Sequence, residues 1–384
     1  MNEYEKRKVA IQRYQAGEKI TSIVTSLGKS RQWFYNWFKR FELRQDYTSW
    51  FIDESRAPKK KPSKLDNITE QQILDIRQNL DANHFAQTGA IAIQYEFRNL
   101  KLKPPPIWTI NRVIERNGLN KVVPKLKQSR EYPELFAFSH QMDLVGPRYI
   151  KGDGRFYSIN IIDIDTHTCY SKPIRIKSSG EIVNAIAEFW YDYGLPDALQ
   201  MDNELAFRGS NRYPRSFGSV IRFALTQGVA PVFIPIKEPW RNGIIEKYNS
   251  TYQKRFLNAK TFLNFQDLAD DTKQFISFHN SHHRYSSQGQ KTPMEASKLS
   301  GQGIYYKGNT HELEKIPLET GVIYFIRFIR SDLKLSLITE HFKVDESLKY
   351  SYVVAEVNID TQSLVVRQNS EIKHVFPYDT PVDW

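Results

Sequence analysis

The stretch His140-Gln-Met-Asp-Leu-Val145 sets a carboxylate, Asp143, at the end of an otherwise apolar run of strand character. A second run, Ala198-Leu-Gln-Met-Asp-Asn203, again ends on an aspartate, Asp202. Short apolar runs bounded by turn residues read as buried strands. A carboxylate in such a place needs a reason, because burying an unpaired charge is costly. A third carboxylate, Glu246, falls in the first turns of a long helical pattern, Arg241-Asn-Gly-Ile-Ile-Glu-Lys-Tyr-Asn249.

Working outward, residues 154–164 (GRFYSINIIDI) and 167–176 (HTCYSKPIRI) supply two more strands, divided by Asp163–Thr166. Ser178 and Glu181 form a capping box that opens an amphipathic helix through about Tyr193. A helix from about Ser216 to Gln227, a strand at residues 231–235 (PVFIP) and the helix from near Asn242 past Phe256 complete the series. Three strands, helix, strand, helix, strand, helix predicts a central α/β mixed sheet with helices on its faces. That topology brings the ends of the two aspartate strands together, with Glu246 alongside.

Three converging carboxylates repel one another unless a divalent cation neutralises them. Oxygen-only ligation suits Mg²⁺ or Mn²⁺, which accept phosphate oxygens. Two such ions can serve in-line phosphoryl transfer. Asp143, Asp202 and Glu246 are therefore the expected catalytic and metal-binding residues. Asp163 and Asp165 are read as turn residues, and His140 as a strand-face histidine. His279, His282 and His283 have neither the cysteines nor the acidic spacing of a zinc site.

The N-terminal third has a different texture. Of 54 Lys+Arg and 43 Asp+Glu, residues 1–130 hold 25 and 13, a net of +12. The remainder holds 54−25 = 29 against 43−13 = 30, a net of −1. A localised positive field attracts a polyanion, although charge alone equally describes a soluble surface. Residues 4–45 read as three helices divided by Gly17 and Gly28, the third capped by Ser30 and mixing Arg31, Lys39 and Arg40 with aromatics. This is the layout of a helix-turn-helix, with Lys29, Ser30, Arg31, Gln32, Tyr35, Lys39 and Arg40 as expected DNA contacts. A small helical bundle with an aromatic core is the plainer alternative. Residues 66–120 read as a second such unit, its last helix capped by Thr109 and ended by Gly118. Arg241, Lys247, Lys254 and Arg255 flank Glu246 and are further candidate DNA contacts, Arg241 in a loop expected to be mobile. Residues 318–377 show short strands with polar turns, predicting a small C-terminal β-barrel.

Residues 133–300 resemble the integrase catalytic core shared by retroviral integrases and bacterial insertion-sequence transposases. The resemblance rests on HQMDLVG, DALQMDNELAF, EPWRNGIIEKYN and the downstream FHNSHHRYSSQGQKTPMEA. It implies a ribonuclease-H-like fold, an Asp-Asp-Glu site, hydrolysis at transposon ends and strand transfer into target DNA. It also implies a homo-oligomer on double-stranded DNA. The 43 residues at 203–245 exceed the family's usual spacing, and Glu204 stands where relatives often carry glycine. With a single cysteine, the chain has no counterpart of the retroviral His/Cys zinc domain.

The expected organisation is multidomain. A helix-turn-helix domain (1–54), a basic linker (55–65) and a second helix-turn-helix-like domain (66–130) precede the catalytic core (133–300) and a β-rich domain (301–384). The expected protein is a cytoplasmic bacterial transposase with no membrane span and no small-molecule substrate. A transposase-derived DNA-binding regulator and a metal-dependent nuclease of the same fold are the alternatives.

Overall fold

The computed structural model describes residues 1–43, 49–54, 65–119, 131–300, 303–308 and 316–381. They form two compact units, Met1–Leu65 and Asp66–Trp384. The linker proposed for 55–65 and the end of the second helical segment, 120–130, lie almost wholly outside the described residues.

In the first unit, α1 (Glu3–Gln15), α2 (Ile20–Leu27) and α3 (Arg31–Leu43) enclose a core of Ala10, Ile11, Ile23, Val24, Leu27 and Phe34. Gly28 takes the left-handed conformation (φ 64°) that ends α2, a geometry suited to a residue without Cβ. Ser30 then accepts the Trp33 amide at 3.1 Å, capping α3 as its sequence predicts.

The second unit starts with α4 (Asn67–Ala82), α5 (Ala90–Asn99) and α6 (Ile107–Arg116). Helix α6 begins two residues before Thr109, with Pro106 at the cap. The Thr109 amide bonds the Pro106 carbonyl, so the fixed φ of proline sets the start and the hydroxyl does not.

A nine-stranded sheet follows, in the order β11-β10-β9-β6-β5-β4-β1-β2-β3. Its first strands are β1 (Ser139–Ile150), β2 (Gly154–Asp163) and β3 (Cys169–Ile174), antiparallel to one another. Helix α7 (Ser179–Tyr193) leads to β4 (Ala198–Met201), parallel to β1. Helices α8 (Leu205–Arg208) and α9 (Ser219–Thr226) precede β5 (Ala230–Phe233). The long helical pattern resolves into a 3-10 turn (Pro239–Asn242), α10 (Gly243–Tyr252) and a π turn (Gln253–Leu257). Helices α11 (Phe265–His282) and α12 (Pro293–Ser300) pack beyond it.

The C-terminal strands depart from the expected barrel. Strand β6 (Val322–Phe328) pairs parallel with β5, and β9 (Tyr352–Asn358), β10 (Ser363–Gln368) and β11 (Glu371–Pro377) extend the same open sheet. Among the described residues only the hairpin β7 (Lys334–Leu337) with β8 (Glu340–Lys343) stands outside it. The reason is the edge of β5, whose unpaired backbone groups need a partner. Phe325 of β6 stacks on Phe233 of β5 at 4.9 Å, and one apolar core runs from Met142 to Val366. Period-two alternation is the same in a barrel and in an added sheet edge, so the sequence pattern does not separate them.

Candidate active site

Asp143 lies within β1, paired in register with Asn160 of β2, and so does not end its strand as its sequence suggests. Asp202 directly follows β4, and Glu246 sits in the first turn of α10. What brings α10 to the strands is a set of side-chain bonds. Gln141 of β1 accepts the Ile245 amide at 3.0 Å, and Asn242 donates to the Met142 carbonyl at 3.3 Å. Gln200 of β4 donates to the Arg241 carbonyl and to Asn242 Oδ1. The helix N-terminus is thereby stitched to both aspartate strands.

Burial pushes the Asp143 carboxyl up to about 7, and the charges of Asp202 and Glu246 act in the same direction. The Leu144 amide and the Asn249 side chain oppose this, bonding its two oxygens at 2.8 and 2.7 Å. Asn249 in turn accepts from Asn160, which accepts from Ser158, whose hydroxyl also reaches Tyr252. Burial likewise raises Asp202, helped by the charge of Glu204 and opposed by the Glu204 amide and Lys177. Glu204 is itself held by Lys177 at 2.9 Å, so the extra carboxylate beside Asp202 arrives with its own counter-charge.

Asn203 is fixed from the C-terminal strands. Arg327 of β6, buried, donates to Asn203 Oδ1 at 2.7 Å and to the Ile234 and Ser336 carbonyls. Tyr352 of β9 accepts from Arg241 and donates to Glu238. Arg241 also lies over the Tyr132 ring at 3.9 Å. The loop before α10 is thus pinned rather than loose, and Arg241 has its guanidinium committed inside the protein.

Among the described residues, no three His, Cys, Asp or Glu side chains stand close enough to grip an ion together. Asp143 feels the charges of Asp202 and Glu246, but the three do not form a closed cage. The donor chemistry nonetheless fits a hard divalent cation. All three carboxylates offer oxygen donors, and a carboxyl raised by burial and by two like charges is one whose ionised form a cation would favour.

The other expected residues fall as follows. Arg31, Gln32, Tyr35 and Lys39 are exposed along α3; Lys29 pairs with Glu3, Arg40 with Glu54, and Ser30 is spent on the cap. Lys247 and Lys254 are exposed on α10 and its π turn, while Arg255 is half-buried and donates to Thr88 at 3.0 Å. Asp163 caps its turn through the Asp165 and Thr166 amides. His140 is fully buried and accepts from Trp190. His279 contacts Cys169 and Tyr285, and His283 bonds the Phe85 carbonyl.

Asn249, Asn160, Gln141 and Arg327 were not singled out by sequence. The first had a signal: three residues after Glu246, it shares that residue's face of the helix. Arg327 had none, since its partners come from three separate segments.

Residues 227–293 match the integrase core domain family, a span that includes Glu246 and α11. Residues 1–47 match a homeodomain-like domain. The protein named "Putative integrase ORF3" of Spiroplasma virus SpV1-C74 is 23% identical over 255 residues, covering 59% of this chain and 70% of its own length. Among solved structures, the simian T-cell lymphotropic virus intasome in complex with PP2A regulatory subunit B56 gamma is similar at TM-score 0.38 and 10% identity. That likeness covers 79% of this chain and 97% of the other. The HTLV-2 integrase catalytic core domain in complex with magnesium follows at TM-score 0.32 and 15% identity, covering 42% and 97%. The two family matches mark separate segments of the chain, one around Glu246 and one at the N-terminus. More particularly, the chain carries an integrase core domain together with a homeodomain-like helix-turn-helix domain.

Proposed function

We propose that this protein is a DNA transposase that binds the ends of its element, cuts them, and joins them to target DNA. The observation that carries the reading is Asp143, half-buried in the sheet within the fields of Asp202 and Glu246. Asp143, Asp202 and Glu246 would hold Mg²⁺ or Mn²⁺, two ions per site. When bound, such ions activate the attacking oxygen and stabilise the departing one.

The chain's own residues do the rest. Asn249 fixes the orientation of Asp143, and Arg327 fixes the Asp202–Asn203 turn through Asn203. Lys177 offsets Glu204, so that incoming phosphates meet less negative charge. In the cutting step, water attacks the end phosphorus, the P–O3′ bond breaks, and a 3′-hydroxyl and a 5′-phosphate result, the proton of water passing to solvent. In the joining step that 3′-hydroxyl attacks a target phosphodiester, displacing a target 3′-oxygen, so bond number is conserved and no external energy source is needed.

Residues 1–54, with Lys29, Ser30, Arg31, Gln32, Tyr35, Lys39 and Arg40 on or beside α3, are proposed to read the ends. Residues 66–130 are proposed as a second DNA-binding segment and 133–300 as the catalytic core, with a homo-oligomer pairing two ends. The test compares the full-length protein with its Glu246→Gln variant on duplex from the gene's own flanks, with Mn²⁺. The variant is expected to bind DNA normally and to lose cutting and joining by about 10³-fold or more. Undiminished joining by Glu246→Gln would discard the triad. Joining absent but nicking retained in the unaltered protein would favour a nuclease, and tight binding without either, a DNA-binding regulator.

A further inference from the structure

Helix α10 has two working faces. Glu246, Asn249, Ser250 and Gln253 lie along one, toward the carboxylates. Lys247, Thr251 and Arg255, spaced by four residues, line the other. That second face does not look into solvent alone. It forms one wall of a cavity of about 710 Å³ whose opposite wall is the N-terminus of α5.

The cavity's charge is one-sided. Its lining includes Lys247, Arg255 and Arg284, two histidines (His167 and His283) that burial keeps neutral, and no aspartate or glutamate. Arg284 approaches over the Tyr95 ring at 3.8 Å with its guanidinium paired to Glu295 at 3.1 Å and its Nε buried without a hydrogen-bond partner. Opposite stand the first turn of α5 and its cap residue Gly89, which brings no side-chain acceptor to the free amides. Free amides at a helix start favour an anion. The two walls are held together: Arg255 bonds Thr88, the Arg284 amide bonds Gln87, and Phe85 packs edge-on against Phe275 at 5.5 Å.

We propose that this cavity holds the sugar–phosphate backbone of the element-end DNA, making the α4–α6 segment and the integrase core one composite DNA site. The inference rests on the transposase reading for its choice of DNA. Charge complementarity selects the occupant, since Lys247, Arg255 and the amides at the start of α5 converge with no carboxylate in the lining. Proximity sets its place: Lys247 adjoins Glu246 in sequence, so a strand whose scissile phosphate sits at Glu246 reaches the cavity around the start of α10. Ile91, Ile107 and Ile244 in the walls suit the apolar face of sugars.

The chain's only cysteine, Cys169, is buried, which makes a thiol placed in the cavity addressable. The experiment uses full-length Thr251→Cys and duplex from the gene's flanks bearing disulfide-activated thiol tethers on single phosphates. Ser277→Cys, on the exposed side of α11, is the control. Thr251→Cys is expected to give a DNA adduct at a few adjacent tether positions, in several-fold higher yield than the control. Lys247→Gln, an exposed change, should lower the slope of log affinity against log salt by about 0.9. Equal adduct yields in the two cysteine variants, with an unchanged salt slope for Lys247→Gln, would overturn the proposal. Adduct formation by a protein that never cuts DNA would leave this site standing and remove the transposase reading. Cutting without the adduct would do the reverse.

Discussion

The two aspartates are held in opposite ways. Asp143 sits in the sheet against neutral groups, the Leu144 amide and an amide relay through Asn249, Asn160 and Ser158. Asp202 sits at a strand end among charges, with Lys177 and Glu204 on one side and Arg327 reaching its neighbour Asn203 on the other. A neutral cradle keeps a carboxyl's position and favours its charge only through hydrogen bonds, which burial outweighs. A charged rim adds a cation and an anion that act in opposite directions. The first arrangement leaves ionisation of Asp143 to whatever cation arrives; the second tunes Asp202 within the protein.

The largest effect expected from this contrast is on pH dependence. The Asp143 carboxyl stands near 7 in the folded chain, well above the ordinary carboxylate value of 3.8. A raised folded pKa gives stability that is full below about 4 and lost as pH rises through 7. The shift corresponds to an upper figure of about 4 kcal/mol. Metal-free protein is therefore expected to melt at lower temperature as pH goes from 5 to 8, and Asp143→Asn to flatten that fall. Mg²⁺ should restore the loss at pH 8. Thermal unfolding with and without chelator measures it; identical slopes for the two proteins would break the contrast.

Next in size is Arg327→Met. Four acceptors, on Asn203, Ile234, Ser336 and Ile326, lose a buried donor, at a cost of about 3 kcal/mol, and the Asp202–Asn203 turn loosens. Denaturant unfolding reads the first effect. The second should appear as a fall in cutting rate that exceeds the fall in folded fraction at low denaturant.

Asn249→Ala is expected to cost less, about 1–2 kcal/mol, because Asn160 can rebond. Its signature is a cutting rate whose alkaline rise shifts to higher pH, since Asp143 loses a bond that favours its charge. An unshifted profile would show that the relay is only structural. Smallest is Lys177→Gln. The Lys177–Glu204 pair is part-exposed and worth under about 1 kcal/mol, so stability should barely move. The expected change is tighter Mn²⁺ binding on the Asp202 side, because Glu204 loses its counter-charge, seen as a lower metal concentration at half-maximal cutting.

The sequence was most informative where local pattern and tertiary role coincide. Gly28 and Ser30 frame α3 by backbone rules alone, and Ser178 caps α7 for the same reason. The order of strands and helices around Asp143, Asp202 and Glu246 was legible because apolar runs and their periods are local. The place of Asp143 inside β1 was not, since strand length depends on pairing with β2. Nor was the union of β5 with β6, which joins residues about ninety positions apart through edge pairing. Arg241 read as a DNA contact from its neighbourhood, yet its partners Tyr132 and Tyr352 lie far away in sequence. Cationic side chains advertise their charge in a sequence but not what already neutralises it.

The central claim is that these three carboxylates make the protein a working transposase. It is met most directly by mobility of the gene with its native flanking DNA, comparing the unaltered protein with Asp202→Asn. The account predicts new insertions bounded by a short target duplication, absent with Asp202→Asn although that variant still footprints the flanks. Insertions at equal frequency from both proteins would contradict it.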